Sequence, residues 1–417
     1  MDKEKKKSAT KRGTKTIILD IPKAHYSRFI EDLDYAKAVI AEWIRKDKPA
    51  KIFPKGIVEA GYIFKGFDRL SQKQGVKKRR IQIGESIYRI HPAFIASYMR
   101  AELKEVKWGI FLMRFGVPFW ALALVLGKYA MFWYRLWIDL GKNSIIGTTI
   151  YSKADLPEHI LNDEEHTYVK GKRAYIATTG AKGCLLGVEV VWKASENVLR
   201  KAYQVAADEV ANIHPLHRII TSNTDGWSAT QNALKIIYKD LEIVQCYLHG
   251  WLKVRHRKTN NRLDEFNAAS DKIWEAYEAK TRASFAQRIR RLKEWAIKTM
   301  DTSPMKDNVV DLCNKGAFWK VFYKYPQAHR TSNMLDRLMK LMKRCIKNAQ
   351  FFHASTRQAT LYMRAFALVY NFSPSNPWTI KKYKGLVCPA DRINKFSYSD
   401  DWCINLMVAT SLRGYRC

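Results

Sequence analysis

The sequence predicts an α/β protein: a mixed sheet with helical crossovers, interrupted by an all-α insertion and preceded by an α-helical region. Three observations predict it. Between residues 144 and 258, alternating and β-branched runs bounded by glycine turns exchange with amphipathic helices in the order β-β-β-α-β-α-β. Past Lys258 the strand signal vanishes, and charged helical patterns such as FAQRIRRLKEWAIKTM take over. Ahead of residue 144, short aromatic-rich helical stretches are parted by glycine turns.

Residues 1–15, MDKEKKKSATKRGTK, read as a basic disordered tail with no apolar core of a secretory signal. The region 16–143 reads as helical and DNA-binding. Within it Ala101–Met113, Phe119–Leu126 and Ala130–Leu140 are three short helices, with Pro118 placed for a helix start. Such helices joined by tight glycine turns suggest a helix-turn-helix near 101–141, whose last helix enters a major groove. Lys128, Tyr134 and Arg135 would then contact DNA; the competing reading is a helical bundle with its aromatic residues in the core. A membrane span over Gly109–Gly127 is disfavoured, because Arg114 and Pro118 interrupt it and a span needs about 20 apolar residues.

From 144 to 258 the elements follow one another closely. Leu161–Val169, Arg173–Thr179 and Cys184–Trp192 are strands of an antiparallel meander, joined by turns at Lys170-Gly171-Lys172 and Gly180–Gly183. Glu196–Asn212 is a long amphipathic helix, and Arg218–Ser222 a fourth strand. Ser228 and Gln231 have the spacing of a capping box for a helix over Ala229–Tyr238, and Leu241–Cys246 is a fifth strand. This order is that of an RNase H-like (retroviral-integrase-like) core. Residues 259–325 form the helical insertion, 326–372 the last helices of the core, and 373–417 a C-terminal segment.

Composition narrows the function. Lys and Arg number 73 against 39 Asp and Glu, a net charge of +34, while 47% of the residues are hydrophobic. That much apolar material excludes a disordered chain, and the charge surplus calls for a polyanion, with DNA as the first partner to consider. Seven cysteines with no CxxC pair read as reduced thiols of a cytoplasmic protein.

Three carboxylates fall where such a core would need them: Asp163 in the first strand, Asp225 just past the fourth, and Asp336 on the helix after the insertion. With Asn333 as N-cap, Asp336 stands in the first helical turn, where the helix dipole favours an anion. Converging carboxylates are a hard-oxygen cage for Mg²⁺, with Mn²⁺ as a substitute. Each acid also has a plain reading as a turn, cap or first-turn residue, and Glu164 or Glu165 fits Asp163's position as well. Cys246 and His249 could begin a zinc site with His256, but a structural role at the strand end is favoured, since no second pair is spaced for zinc. Trp227 suits either stacking on an extruded base or burial against the next helix.

The stretches DEEHTYVKGKRAYIATT, SNTDGW, CYLHGWLKVR and HRTSNMLDR resemble the signature blocks of bacterial insertion-sequence transposases of the DDE class, nearest the Mutator-type group. In that group the second acid precedes Gly, a Cys-x-x-His pair follows on the next strand, and a helical insertion separates the second and third acids. The resemblance covers roughly 144–372. One departure is that the third acid is usually Glu and here is Asp336, which leaves Glu294 and Glu275 as substitutes. The resemblance implies metal-dependent hydrolysis at transposon ends and transfer of the freed 3′-OH into target DNA, with no covalent protein–DNA intermediate. It implies that Asp163, Asp225 and Asp336 hold the metals and that Lys253, Arg255 and Arg330 neutralise phosphates. It further implies a homodimer or larger assembly on double-stranded DNA, associated with the bacterial nucleoid. A DNA-binding descendant without catalysis and a nuclease without strand transfer are the rival functions.

Overall fold

The computed structural model describes residues 15–412 except 55, 69, 71–74 and 97–100, so the N-terminal basic tail lies, but for Lys15, outside the described residues. The N-terminal region differs from the all-helical expectation. It contains β1 (Thr16–Leu19), α1 (Lys23–Glu31), α2 (Leu33–Lys46), α3 (Ile57–Ala60), β2 (Ile63–Phe67), β3 (Arg79–Ile83) and β4 (Ser86–Pro92). The strands form a sheet in the order β1-β4-β3-β2, with β1 parallel to β4 and the other pairs antiparallel. The cause lies in RRIQIGESIYRI. Alternation puts Arg79, Ile81 and Ile83 on the buried side of β3, and Gly84-Glu85 closes a two-residue hairpin onto Ser86.

Next come α4 (Leu103–Met113), α5 (Phe119–Leu126), α6 (Ala130–Leu140) and α7 (Ile145–Thr149). The first three occupy the predicted segments, but α6 is a core helix: Phe132, Trp133, Leu136 and Trp137 are buried. The interrupted apolar stretch 109–127 is thus divided between α4 and α5. Among the described residues, no helix is long and apolar enough to cross a membrane. Buried Lys51 ties the N-terminal region to α7, its Nζ donating to the carbonyls of Gly147 and Thr148 at 2.5 and 2.8 Å.

The second sheet holds β5 (His159–Val169), β6 (Lys172–Ala181), β7 (Cys184–Val191), β8 (Thr221–Thr224) and β9 (Glu242–Gln245), in the order β7-β6-β5-β8-β9. β5, β6 and β7 are antiparallel; β8 joins β5 in parallel and β9 joins β8 in parallel. The β5–β6 turn uses Lys170 and Gly171 with φ of 49° and 72°, the left-handed pair that a two-residue hairpin demands. Crossovers are α8 (Glu196–Ile213) and α9 (Ser228–Ile237). The fourth strand sits later than the apolar run Arg218–Ser222 suggested. Its residues Thr221–Thr224 are polar yet all buried, and are kept so by bonds such as Ser222 Oγ to Asn162 Oδ1 at 2.8 Å. The capping box does not form: Trp227 is the N-cap residue of α9 and no side chain caps it, while Gln231 donates to Thr224.

After α10 (Tyr247–Arg255) the insertion is α11 (Leu263–Tyr277), α12 (Arg282–Thr299), α13 (Pro304–Asn314) and α14 (Gly316–Lys324), with its own core around Ile273, Phe285, Leu292 and Leu312. It is fastened to the sheet edge by Trp319, whose indole N–H donates to the carbonyl of Gln245 at 2.8 Å. α15 (Asn333–Asn348) and α16 (Thr356–Phe372) cover the sheet face opposite α8 and α9. Then α17 (Pro377–Lys382), α18 (Pro389–Asn394) and α19 (Trp402–Ala409) lead back to β1, where Ser411 Oγ accepts from the Ile18 N–H at 2.9 Å. One apolar core runs from Ile17 through Leu161 and Phe366 to Val408, so the N-terminal sheet, one face of the second sheet and the C-terminal helices pack as one body.

Candidate active site

Strand register brings the first two acids together. In the parallel β5–β8 pair, Leu161 lies opposite Asn223, and two residues further along each chain stand Asp163 and Asp225. Asp225 is just past the C-terminal end of β8, the end of a parallel strand where ligands are usually met. Gly226 follows with φ of 103°, which lets the chain turn sharply into α9, and the Trp227 N–H donates back to Asp225 Oδ1 at 3.0 Å.

Side-chain alternation turns Leu161, Asp163 and Glu165 toward one face of β5. On that face Glu165 meets Lys343 of α15 at 3.0 Å. Asp336 precedes Lys343 by two helical turns on the same side of α15, and its charge and that of Asp163 both act on His249. Burial first, then the charges of Asp225 and Glu164, push the Asp163 carboxyl up to about 7. The Glu164 N–H, donating to Asp163 Oδ1 at 2.8 Å, and the charge of His249 act the other way.

Cys246 reaches the third acid through Ser332, and His249 stands beside Cys246. Cys246 is the N-cap residue of α10 and His249 is on its first turn, so the pair spans a strand–helix junction. The neighbouring Cys246, with the charges of Asp336 and Asp163, raises His249 to about 9 against the cost of its burial. Cys246 Sγ also accepts from the backbone N–H of Ser332 at 3.2 Å. The Ser332 hydroxyl lies 3.2 Å from that sulfur and 3.0 Å from Asp336 Oδ2, so its single proton can serve either. Ser332, not Asn333, is the N-cap residue of α15; Asn333 is the first helical residue and is exposed. Ser332 was missed in the sequence, although a Ser four residues ahead of a helix acid is the spacing that lets them touch. His256 is exposed at the far end of α10, two turns from His249.

The remaining candidates divide. Lys253 lines the cleft beside Asp225 with Gln245 and Lys315. Trp227 is partly exposed next to Asp225, its ring 6.2 Å from that of Tyr175. Arg255 is exposed and lies over Trp251. Arg330 is held between the rings of Tyr277 and Phe322, at 4.1 and 4.4 Å, which places its guanidinium in the insertion rather than toward a phosphate. Glu275 and Glu294 pair with Arg288 and Arg290 on the insertion surface and are not brought to Asp163. Glu164 points to the other sheet face, and Glu165 is engaged with Lys343. In the helix-turn-helix segment, Tyr134 donates its hydroxyl to Gln358 and packs on Phe119, and Lys128 pairs with Glu105 at 3.5 Å; Arg135 is exposed.

As donors, three carboxylates suit a hard divalent ion. As placed, each bonds to a chain neighbour instead: Asp163 to the Glu164 N–H, Asp225 to the Trp227 N–H, Asp336 to the Ser332 hydroxyl. Among the described residues no group of three or more His, Cys, Asp or Glu side chains is arranged to hold a metal. No family model matches the chain, and no curated protein matches it.

Proposed function

We propose that the chain is a DDE-class DNA transposase with an RNase H-like core, cutting phosphodiesters at transposon ends and joining the freed 3′-OH to target DNA. One observation carries the reading. Asp163 of β5 and Asp225, just past the end of β8, are close enough for their charges to act on each other, and His249 feels the charges of both Asp163 and Asp336. Strand order, the helical insertion placed between the second and third acids, and the charge of +34 agree with it.

Asp163, Asp225 and Asp336 would hold Mg²⁺ or Mn²⁺. Such ions supply activation of the attacking oxygen and stabilisation of the leaving one. Lys253 and Lys315 line the cleft beside Asp225 and would neutralise a phosphate there, Lys315 being paired now with Asp311, and the Cys246–Ser332 contacts fix the helix that carries Asp336. The protein would act on double-stranded DNA at the nucleoid, as a dimer or larger assembly because two ends are joined in one reaction.

The test is cleavage of a plasmid carrying the element's own ends, in Mg²⁺ and in Mn²⁺. The expected result is nicking or cutting at the ends that Asp225→Asn abolishes while end binding persists. Cleavage that survives Asp225→Asn overturns the assignment. A second reading, a DNA-binding descendant without catalysis, is favoured by the separate local bonds of the three acids. End binding without cleavage by the wild type in either ion would establish it.

A further inference from the structure

We propose that the outer face of α5 docks against the same face of a second copy of this chain. Between Pro118 and Gly127 there is no charged side chain. Leu122 is buried, and Phe119, Ala123 and Leu126 are half-buried on the inward side. The outward side carries Trp120 at 66% exposure, Leu124 at 78% and Val125 at 75%. Trp120 and Leu124 are one turn apart, and Ala121 and Val125 make the adjoining row. Just beyond the helix, Tyr129 and Met131 add to the exposed apolar surface at 58% and 49%. A helix apolar on every side is ordinarily an interior helix, and here its outer half faces water.

Charge chooses the occupant. DNA or an acidic protein would be drawn to the surplus cations elsewhere; α5 itself has no cation, and Lys128 just beyond it pairs with Glu105. An apolar face is instead complementary to itself, so a two-fold axis through α5 sets Trp120 and Leu124 of each copy against those of the other. Area agrees. With roughly 150–250 Å² for a whole aromatic side chain, the exposed parts of these five residues come to about 500 Å² per copy. A pair then buries about 1,000 Å², the lower limit for a specific interface. The net charge of +34 opposes association, so salt should strengthen it, whereas salt weakens DNA binding.

The proposal stands apart from catalysis, and its test uses neither DNA nor metal: sedimentation equilibrium of the full chain at about 0.15 M and 1 M NaCl, the two salt regimes of weak and strong screening. The expected result is a monomer–dimer equilibrium that tightens with salt and loosens at least tenfold in Leu124→Glu, with the thermal midpoint unchanged. Val125→Lys repeats the measurement should Leu124→Glu fold poorly. A wild type that stays monomeric in both salts overturns the proposal, as does a dimer that both variants leave intact. Cosedimentation with phosphatidylcholine vesicles that is lost in Leu124→Glu also overturns it, by making the face a lipid-contacting one.

Discussion

Asp163 and Glu164 are chain neighbours on β5, both buried and both pushed up to about 7, yet they belong to opposite faces of the sheet. On the α8–α9 face, Glu164 Oε1 accepts from the Tyr203 hydroxyl at 2.5 Å and the Thr230 hydroxyl at 2.8 Å. Those donors favour its anion and partly offset burial. On the α15 face, the Asp163 carboxylate accepts from the Glu164 N–H, and the charges of Asp225 and Glu164 work with burial while that of His249 opposes them. The difference separates a carboxylate with one oxygen held by two hydroxyls and the other buried without a partner from one set between the like charge of Asp225 and the opposite charge of His249. Equal burial therefore does not mean equal surroundings: hydroxyl donors act on the first, and a like and an opposite charge act on the second.

The comparison is broken most directly by removing one charge at a time. Asp163→Asn should lower end cleavage by about three orders of magnitude, equivalent to about 4 kcal/mol of transition-state stabilisation. Its fold should survive, because the substitution removes repulsion from Asp225. Glu164→Gln should leave the cleavage rate within a few-fold of wild type. Equal losses from both variants, measured in one assay with matched DNA affinity, would erase the distinction between the two faces.

Stability against pH sharpens it next. Glu164 goes from 4.5 in the ordinary carboxyl to about 7 in the fold, so the folded state holds a proton the unfolded chain has released. That contribution is fully present below pH 4.5 and is lost as pH rises through 7, worth about 3 kcal/mol at 1.36 kcal/mol per pH unit. His91 and His329 act in the opposite sense. Burial lowers them to about 3 and about 4, so their contribution is present above pH 6.5 and is lost as pH falls. The amide of Glu164→Gln mimics the neutral acid at every pH, so the thermal midpoints of wild type and variant should agree near pH 4.5 and diverge as pH rises to 7, with the wild type falling. Parallel curves would mean that Glu164 titrates as an exposed carboxyl does.

Much of this arrangement was legible in the sequence, and the exceptions have physical causes. The second sheet was readable because Ile, Val and Thr alternate between glycine turns in β5, β6 and β7. β8 was misplaced because its buried residues, Thr221 to Thr224, are polar and are retained by side-chain bonds that no hydropathy pattern records. The N-terminal sheet was hidden because its strands are short and two of them join over Gly84-Glu85 among many charges. Asp163 and Asp225 could be named from strand order alone, since register follows from topology. Which of Asp163, Glu164 and Glu165 faces α15 needed the pairing of Leu161 with Asn223 and the contact of Glu165 with Lys343. The helix-turn-helix segment shows the limit of local pattern: α4, α5 and α6 were located, but whether an aromatic residue meets DNA, core or another protein depends on what packs against it.

Ser332 gives the smallest and most pointed test. It is a hydroxyl donor on the α15 face, the counterpart there of Tyr203 and Thr230, and it touches both Asp336 and Cys246. In Ser332→Ala the sulfur keeps the backbone N–H as donor, so Cys246 remains fastened to the start of α15. Asp336 loses its hydroxyl donor, and Cys246 keeps one of its two. One hydrogen bond of about 1 kcal/mol then separates a held carboxylate from a swinging one, and end cleavage should fall roughly five- to tenfold with DNA affinity unchanged. Cys246→Ala removes the sulfur and leaves the Ser332 proton free to serve Asp336 continuously, so its cleavage rate should fall less than that of Ser332→Ala. The reverse order would make the Cys246–His249 pair, rather than the hydroxyl, the element that holds the third acid.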